Sequence, residues 1–559
     1  MEPVSAGGVL RRVLSGQRRY VAAGTSLLMA HQVFEALVPV LVGQVIDRAV
    51  STGDGAALGR WIAGLMVLFG VLSLAYRFGS QCLERAEQAA IQDLVLAVTR
   101  RVLHPRGGVE SSAGALVSVA TADATLATAV IGSVTVAAGG LAAILVATIS
   151  LLIISVPLGL LVLLGLPPVL AAVQLLIRPL QRRLRAQQAQ AAVAAEVAGD
   201  LVSGLRVLKG LGAEAAAADR YRAASRRSLA AALHAARPES AHRGLSVVVT
   251  GATLAVVALI GGRFAAEGRI SVGDLVAAVG LVAFLIGPLL RLGLAGTVLA
   301  AAWASGQRVA EALSAPPAVG PGRSPLPADG HGELRIVALT TGRLRALSLT
   351  VAPGELVAVV PVDPAAATDL LDVLSRTTDA YDGAVDLDGV ELRDADLDAV
   401  RARLVVSGHH SYLFEGTLAD NVLARAEADM LVPALAAAGA DELAGALPGG
   451  HDAEISERGR SLSGGQRQRV ALARALATQA AVLVLHDPTT AIDTATEARI
   501  AGGIRDLRRG RSTLLIASSP ALLAVADRVL LVEDGRATAT GTHAELMSTE
   551  PAYRRSVTG

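Results

Sequence analysis

A glycine pair stands at the start of a predicted helix in the sequence RSLSGGQRQRVALARAL, which runs from Arg460 to Leu476. Ser463, Gly464, Gly465 and Gln466 come first, and the apolar residues after them recur at near-helical spacing. A helix N-terminus presents unpaired N–H groups and the positive end of a dipole, and glycines let an anion approach the backbone closely. These residues therefore predict either an anion-binding site or a glycine-rich helix start that binds no ligand.

A second stretch, GELVAVVPVDPAAATDLLDVL from Gly354 to Leu374, has the outline of a strand, a loop and a helix. A nucleotide-binding protein would hold a phosphate in such a loop, with glycine N–H groups and a lysine. This loop contains neither residue type, and the lysine of the chain, Lys209, lies far away in the sequence. The stretch is therefore either a phosphate loop without its usual chemistry or a loop of another kind.

The overall composition is that of a membrane protein. Hydrophobic residues make up 52% of the 559-residue chain, and the mean hydropathy of +0.52 is well above the norm for a soluble protein. A net charge of +1 argues against a nucleic-acid partner, since such proteins usually carry a strong basic excess. The single cysteine, Cys82, excludes an internal disulfide framework.

The first half, residues 1–314, is predicted to be an all-α domain with six membrane spans and long cytoplasmic loops. Each crossing of a lipid bilayer needs ~20 apolar residues. The N-terminus is predicted to be cytoplasmic, because four arginines precede the first span and the two long, arginine-rich connections fall on the same side. The protein is thus expected in the cytoplasmic (inner) membrane. The predicted spans are residues 20–46, 58–80, 126–154, 157–178, 243–263 and 274–304.

Two ionisable residues lie inside the first predicted span. His31 and Glu35 are four positions apart, so they share one helical face and are predicted to pair. Ionisable groups at membrane depth are costly, so this face should meet a cavity or a partner and not lipid. Two interpretations stay open: a face that contacts substrate or protons, and a polar pair satisfied within the helix bundle.

The second half begins after a linker rich in proline and glycine, residues 315–332. In residues 333–559, short β-branched runs alternate with stretches rich in alanine and leucine. This alternation predicts an α/β domain with a largely parallel sheet, of ordinary size for one domain. The soluble domain carries both stretches described first.

Further motifs of the second half identify a family. AVLVLHDPTTAID (Ala481 to Asp493), DRVLLVEDGRATATGTHAEL (Asp527 to Leu546) and SYLFEGTLADNV (Ser411 to Val422) accompany the glycine pair. In this order and spacing they closely resemble the nucleotide-binding domain of an ATP-binding cassette (ABC) transporter, whose signature element corresponds to Leu462–Gln466 here. The first half resembles the six-helix membrane domain of exporter-type ABC half-transporters. The resemblance covers nearly the whole chain.

The resemblance implies a mechanism that needs two cassettes. In this family two nucleotide-binding domains pack head to tail, and each ATP, with Mg²⁺, lies between the phosphate loop of one domain and the signature of the other. Ser463, Gly464, Gly465, Gln466 and Asp493 match the residues that face the ATP held by the partner domain. These positions of the chain follow the family pattern.

The positions of the chain's own half-site, by which we mean the residues that would hold ATP on its own phosphate loop, depart from that pattern. Pro361, Ala366 and Ala367 stand where Gly, Gly and Lys are expected, and Thr368 keeps its hydroxyl. Proline has no N–H to donate and alanine has no charge. Five further positions differ from the residues that the family resemblance implies there: His486 for the metal-binding Asp, Asp487 for the catalytic Glu, His409 for the Gln that senses Mg²⁺, Ser518 for the switch His, and Thr341 for the aromatic that stacks on adenine.

These departures predict a chain that is hydrolytically inactive alone. Thr368 and His409 are the candidates left for contact with nucleotide or Mg²⁺ in its own half-site, and no metal ligand is otherwise assigned. The expected partner is a homologous half-transporter with an intact phosphate loop and a catalytic Glu. The pair would move a lipid, drug or peptide-like substrate, hydrophobic or amphipathic, with coupling helices near Gly108–Leu116 and Arg206–Ala215. The alternatives are an importer of a siderophore or lipid on the same fold, and a non-hydrolytic regulatory membrane subunit.

Overall fold

The computed structural model describes residues 4–175, 177–409 and 412–558, so the predicted fourth span includes one position, 176, outside the described residues. The chain forms two compact units. The first contains Met1–Arg101 and Ser111–Ser314, and the second contains Val102–Glu110 and Ala315–Gly559. The short segment Val102–Glu110 joins the second unit through a backbone hydrogen bond from Ala318 N–H to the carbonyl of Arg106, 2.9 Å long.

The first unit is helical. Two π-helical turns, Ile46–Val50 and Val119–Asp123, interrupt its helices. The helices are α1 (Ala6–Gly16), α2 (Arg18–Val45), α3 (Gly55–Val102), α4 (Ala113–Ser118), α5 (Ala124–Thr128), α6 (Val130–Ile154), α7 (Val156–Leu175), α8 (Ile177–Ser203), α9 (Leu205–Leu211), α10 (Glu214–Ala266) and α11 (Val272–Ser314).

Within the described residues, five helical stretches are long and apolar enough to cross a membrane: Arg18–Val50, Gly55–Val102, Ala113–Ile154, Val247–Ala266 and Val272–Ser314. Each overlaps one of the predicted spans. The fourth predicted span, 157–178, coincides with α7, which contributes a shorter apolar helix, Val156–Val169. Ser155 has extended backbone between α6 and α7, so the chain turns between two successive apolar helices.

Short helices lie at the two segments that the family resemblance assigns to coupling. Helix α4 begins at Ala113 after the cap of Ser112, and it overlaps only the end of the predicted segment Gly108–Leu116. The start of that segment is not helical, because Gly107 and Gly108 have positive φ angles of 57° and 97°. Helix α9, Leu205–Leu211, begins one residue before the second predicted segment, Arg206–Ala215. The residue after the helix, Gly212, has a left-handed conformation.

The second unit is an α/β fold built on a six-stranded sheet of order β12-β11-β3-β10-β9-β6. Strands β11, β3, β10, β9 and β6 are parallel, and β12 is antiparallel at one edge. A four-stranded antiparallel sheet has the order β2-β1-β4-β5, and β7 pairs with β8. The strands are β1 (Leu334–Thr341), β2 (Leu344–Val351), β3 (Leu356–Pro361), β4 (Asp382–Leu387), β5 (Val390–Glu391), β6 (Leu404–Ser407), β7 (Gly416–Thr417), β8 (Glu454–Ile455), β9 (Val482–His486), β10 (Ser512–Ile516), β11 (Arg528–Glu533) and β12 (Arg536–Gly541).

Helices cover the large sheet, and its central strands are buried on both faces. Val482, Leu483, Val484 and Leu485 of β9 are all fully buried, as expected of a parallel strand between two layers. The helices are α12 (Pro364–Leu374), α13 (Leu397–Arg403), α14 (Leu418–Val422), α15 (Leu431–Ala437), α16 (Asp441–Ala446), α17 (Gly464–Ala477), α18 (Thr494–Leu507), α19 (Pro520–Ala524), α20 (His543–Thr549) and α21 (Pro551–Thr558).

The parallel strands all end at one edge of the large sheet, and this edge positions the chain's own half-site. Strand β3 ends at Pro361 and β9 ends at His486. His409 and Ser518 follow the ends of β6 and β10 by two residues each. In open α/β sheets the carboxyl ends of the strands are where ligands bind, so the predicted residues occupy the expected edge.

Candidate functional site

The signature element forms a capped and exposed helix start. Ser463 is the N-cap of α17, and its Oγ accepts the N–H of Gln466 at 3.2 Å. In return, Gln466 Oε1 accepts the N–H of Ser463 at 2.8 Å. Gly464 and Gly465 are the first two residues of the helix, so their N–H groups have no carbonyl one turn back to bind. The N-terminus of α17 therefore offers backbone donors and a hydroxyl at an exposed surface.

Two arginines add positive charge beside this helix start. Arg458 and Arg467 line a cavity of about 360 Å³ together with Gly464, Gln468 and other residues of the same unit. Arg458 has a left-handed backbone, with φ of 58°. An anion at the N-terminus of α17 would thus be flanked by guanidinium groups. Sequence reasoning did not single out these arginines, although their closeness to the glycine pair in the sequence was a usable signal.

Gln468 ties the signature helix to the turn after β9. Its side chain is buried, and Nε2 donates to the carbonyl of Asp487 at 2.8 Å and to the hydroxyl of Thr490 at 3.0 Å. Its Oε1 accepts the N–H of Ala491 at 3.0 Å. The amide therefore satisfies the backbone of the turn and fixes α17 against it. This residue was also missed, because its partners are distant in sequence.

The two glycines of the signature differ in the space around them. A Cβ at Gly465 would lie 2.6 Å from the carbonyl oxygen of Ala491, whereas a Cβ at Gly464 would lie 3.9 Å from the Ala491 Cβ. Only Gly465 thus allows the close approach of the turn to the helix. The first distance is far inside van der Waals contact and the second is ordinary.

Gly465→Ala is expected to destabilise the nucleotide-binding domain by about 1–3 kcal/mol, since the backbone of the turn must shift. Gly464→Ala is the matched control and should be neutral or slightly stabilising, because alanine favours helices over glycine by up to about 1 kcal/mol. Thermal unfolding of the two purified variants measures the difference. Equal midpoints would contradict the close approach at Gly465.

Asp493 caps the next helix. Its carboxylate accepts the N–H of Thr496 at 3.0 Å as the N-cap of α18. Hydrogen bonds from the backbone and side chain of Thr496 hold the pKa of Asp493 below its ordinary value. The carboxylate is therefore ionised at neutral pH and already has a local partner. Its contact with ATP held by a partner domain stays a prediction.

Four residues of the chain's own half-site come together at the sheet edge. The ring centroids of His409 and His486 are 6.0 Å apart, and His486 Nε2 lies 3.7 Å from Asp487 Oδ2. The pKa of the Asp487 carboxyl lies above its ordinary value, mainly because the group is buried. The neighbouring His486 and His409 and the backbone N–H of Ser518 offset part of this rise. The structure brings these residues together at one sheet edge, and two of them present imidazole nitrogens where the family resemblance implies oxygen ligands.

Mg²⁺ does not fit this set. Magnesium binds oxygen ligands with near-octahedral geometry, and two imidazoles are poor substitutes for a carboxylate and an amide. Within the described part of the chain, no group of three or more His, Cys, Asp and Glu residues could hold a metal ion. Thr368 is exposed on α12, and Thr341 uses its hydroxyl to donate to the carbonyl of Ala380 at 3.2 Å.

The phosphate-loop position is a tight connection. Strand β3 ends at Pro361 and α12 begins at Pro364, so only Val362 and Asp363 lie between them. Asp363 is the N-cap of α12 and its Oδ1 accepts the N–H of Ala365 at 2.9 Å. An anion that approached this helix N-terminus would therefore meet the carboxylate of Asp363.

In the helical unit, His31 and Glu35 form the predicted pair, with His31 Nε2 3.7 Å from Glu35 Oε2. His31 Nδ1 also lies 3.0 Å from the carbonyl of Leu72 on α3. His31 lines a cavity of about 120 Å³ with Tyr76, Arg291 and other residues. Both interpretations of the pair, substrate contact and internal satisfaction, stay open.

Comparison with known proteins agrees with this architecture. Residues 21–289 match the ABC transporter transmembrane region, and residues 344–490 match the ABC transporter family model. An ATP-dependent lipid A-core flippase of Alkalilimnicola ehrlichii is 31% identical over 400 residues, which are 70% of this chain and 68% of that protein. The chain belongs to the ABC transporter family, with an exporter-type membrane domain followed by an α/β nucleotide-binding domain.

Two other relatives match over nearly the whole chain. A multidrug efflux ATP-binding/permease protein of Mycobacterium tuberculosis is 30% identical over 96% of this chain and 46% of its own length. The chain therefore spans about half of that relative. An ATP-dependent lipid A-core flippase of Aromatoleum aromaticum is 28% identical over 99% of this chain and 96% of its own length.

Proposed function

We propose that this chain is one subunit of a heterodimeric ABC transporter in the cytoplasmic membrane, with its N-terminus and nucleotide-binding domain on the cytoplasmic side. Its signature element completes the ATP site of a homologous partner that has an intact phosphate loop and a catalytic Glu. The observation that carries the proposal is a contrast between two helix N-termini. Both helices have a side-chain cap, but Ser463 binds the third N–H of α17 and leaves those of Gly464 and Gly465 without a helix partner. At α12, Pro364 has no N–H and Asp363 binds that of Ala365.

In the partner's site, the residues of this chain bind and orient phosphate. The N–H groups of Gly464 and Gly465 and the hydroxyl of Ser463 would donate to the γ-phosphate, and Gln468 would hold the turn after β9 in register with the helix. ATP supplies the energy of transport through hydrolysis in that site, where the partner provides the base. Closure of the site would draw the two nucleotide-binding domains together, and α4 and α9 would transmit the motion.

The substrate is proposed to be hydrophobic or amphipathic: a lipid, a drug or a peptide-like molecule. The relatives are named as a multidrug efflux protein and lipid A-core flippases, and both descriptions fit this class. Export is the proposed direction.

The test is ATP hydrolysis by the purified chain alone and by the chain co-purified with the partner. The chain alone is expected to show no turnover above a preparation without protein, and the pair is expected to hydrolyse ATP with Mg²⁺. Appreciable hydrolysis by the chain alone would overturn the heterodimer. An active pair that keeps its full turnover after Ser463→Ala would overturn the role of the signature.

A further inference from the structure

The connection between β3 and α12 is too short to wrap around a phosphate as a phosphate loop does. The family pattern for this loop spans positions 361–368, and in this chain residues 364–368 are already helical. A phosphate loop wraps several backbone N–H groups around the anion before its helix begins. Here the strand and helix are joined by Val362 and Asp363 alone, and the N–H of Val362 donates to the carbonyl of Val532 at 2.9 Å.

The N-terminus of α12 has no free donor at its first three positions. Pro364 has no N–H, and the N–H of Ala365 binds Asp363 Oδ1 at 2.9 Å. The N–H of Ala366 binds the carbonyl of Asp363 at 3.1 Å. The side chain and the backbone of Asp363 thus take the donors that a phosphate would need.

The charges around this helix start are arranged for a carboxylate. Arg343, in the turn between β1 and β2, has Nη1 3.8 Å from Asp363 Oδ2, and its backbone N–H donates to Asp369 Oδ2 at 2.5 Å. A guanidinium therefore lies beside Asp363, and its charge is balanced by that carboxylate before any triphosphate arrives. The family's lysine position, Ala367, is only 2% exposed and packs in the core.

We propose that Asp363 is a built-in substitute for phosphate, so that the chain's own half-site binds no nucleotide. The carboxylate satisfies and neutralises the N-terminus of α12 in place of ATP. The assembled heterodimer then holds one ATP, in the site completed by Ser463, and the opposite interface closes without nucleotide. The count of one rests on the proposed function, whereas the lack of binding to the isolated chain does not.

The count is tested by equilibrium dialysis of radiolabelled ATP and Mg²⁺ against a heterodimer in which the partner's catalytic Glu is replaced by Gln. One ATP per heterodimer is expected. Two ATP per heterodimer would overturn this inference and leave the proposed function intact. Hydrolysis by the chain alone would overturn the proposed function, so the two failures are distinct.

The role of Asp363 is tested on the isolated full-length chain with Asp363→Gly. Glycine is tolerated at an N-cap, frees the N–H of Ala365 and removes a negative charge. The unsubstituted chain should label only at background, whereas the variant should label at least about tenfold above that background at low ionic strength. Photolabelling with 8-azido-ATP over a concentration series measures this gain.

Asp396→Gly is the matched control. Asp396 caps α13 through the N–H of Ala399 at 2.9 Å, so this variant loses an equivalent cap away from the phosphate-loop position. Its labelling should equal that of the unsubstituted chain. Labelling of the unsubstituted chain with ordinary ATP affinity, or no gain in Asp363→Gly, would overturn the assignment of Asp363.

Discussion

Replacing Ser463 by Asp is expected to lower the ATP turnover of the heterodimer at least about 100-fold while α17 stays folded. Ser463 Oγ accepts the N–H of Gln466 at 3.2 Å, and an Asp carboxylate makes the same cap. Its charge then lies where the γ-phosphate must approach. Two like charges about 4 Å apart repel by about 4 kcal/mol near a protein surface, and about 2.7 kcal/mol already corresponds to a factor of 100.

Ser463→Asn is the control for size and capping. Asn has the shape of Asp and is an equally good N-cap, but it carries no charge. The turnover of this variant should stay within about tenfold of the unsubstituted heterodimer, since at most one hydrogen bond to phosphate is lost. The measurement is kcat at saturating ATP, with thermal unfolding to show that both variants fold. Equal losses in the two variants would argue against phosphate at this helix N-terminus.

The start of α17 could be predicted from sequence because its cause is local. Ser463 and Gln466 form a capping box from residues three positions apart, and the glycines and the apolar spacing mark the helix that follows. The alternation of β-branched and helical runs likewise predicted the α/β fold. The same reasoning could not find Gln468, whose amide binds the backbone of a turn about twenty residues further on.

At the phosphate-loop position, the sequence predicted which residues are missing but not what the loop forms instead. The sequence revealed the missing glycines and lysine, and so predicted that Pro361, Ala366 and Ala367 cannot bind phosphate as the family does. It did not reveal that the side chain of Asp363 caps α12 at this position, because that depends on the residue at which α12 begins. A proline at the first helical position and an Asp before it are ordinary helix-start signals, and here they extend the helix into the loop.

In the membrane domain, the sequence pattern did not predict which helices contact each other. Apolar length predicted where the helices are, but it says nothing about which faces meet. Helices α2 and α11 approach closely where Gly43 and Gly273 face each other. A Cβ on Gly273 would lie 2.1 Å from the carbonyl oxygen of Gly43, and a Cβ on Gly43 would lie 2.5 Å from that of Gly273. Small residues at a crossing allow this approach of two backbones in a bilayer.

A carboxylate fixes the same crossing. Asp47 Oδ1 accepts the N–H of Gly273 at 2.8 Å, and the hydroxyl of Ser271 donates to Asp47 Oδ2. The Asp47 side chain thus satisfies backbone and hydroxyl donors at the start of α11. A shift of α11 away from α2 would separate these groups, so the glycine contact and the hydrogen bonds depend on one another.

Gly273→Ala is therefore expected to destabilise the membrane domain by about 3 kcal/mol or more, at the upper end of overpacking effects, because a backbone carbonyl blocks the new methyl group. Gly296→Ala on the same helix is the control, since a Cβ there would meet nothing within 4 Å. It should be neutral or gain up to about 1 kcal/mol from helix propensity. Thermal unfolding in detergent, followed by size-exclusion chromatography, compares the two. A Gly273→Ala midpoint equal to that of the control would show that α2 and α11 do not meet through these glycines.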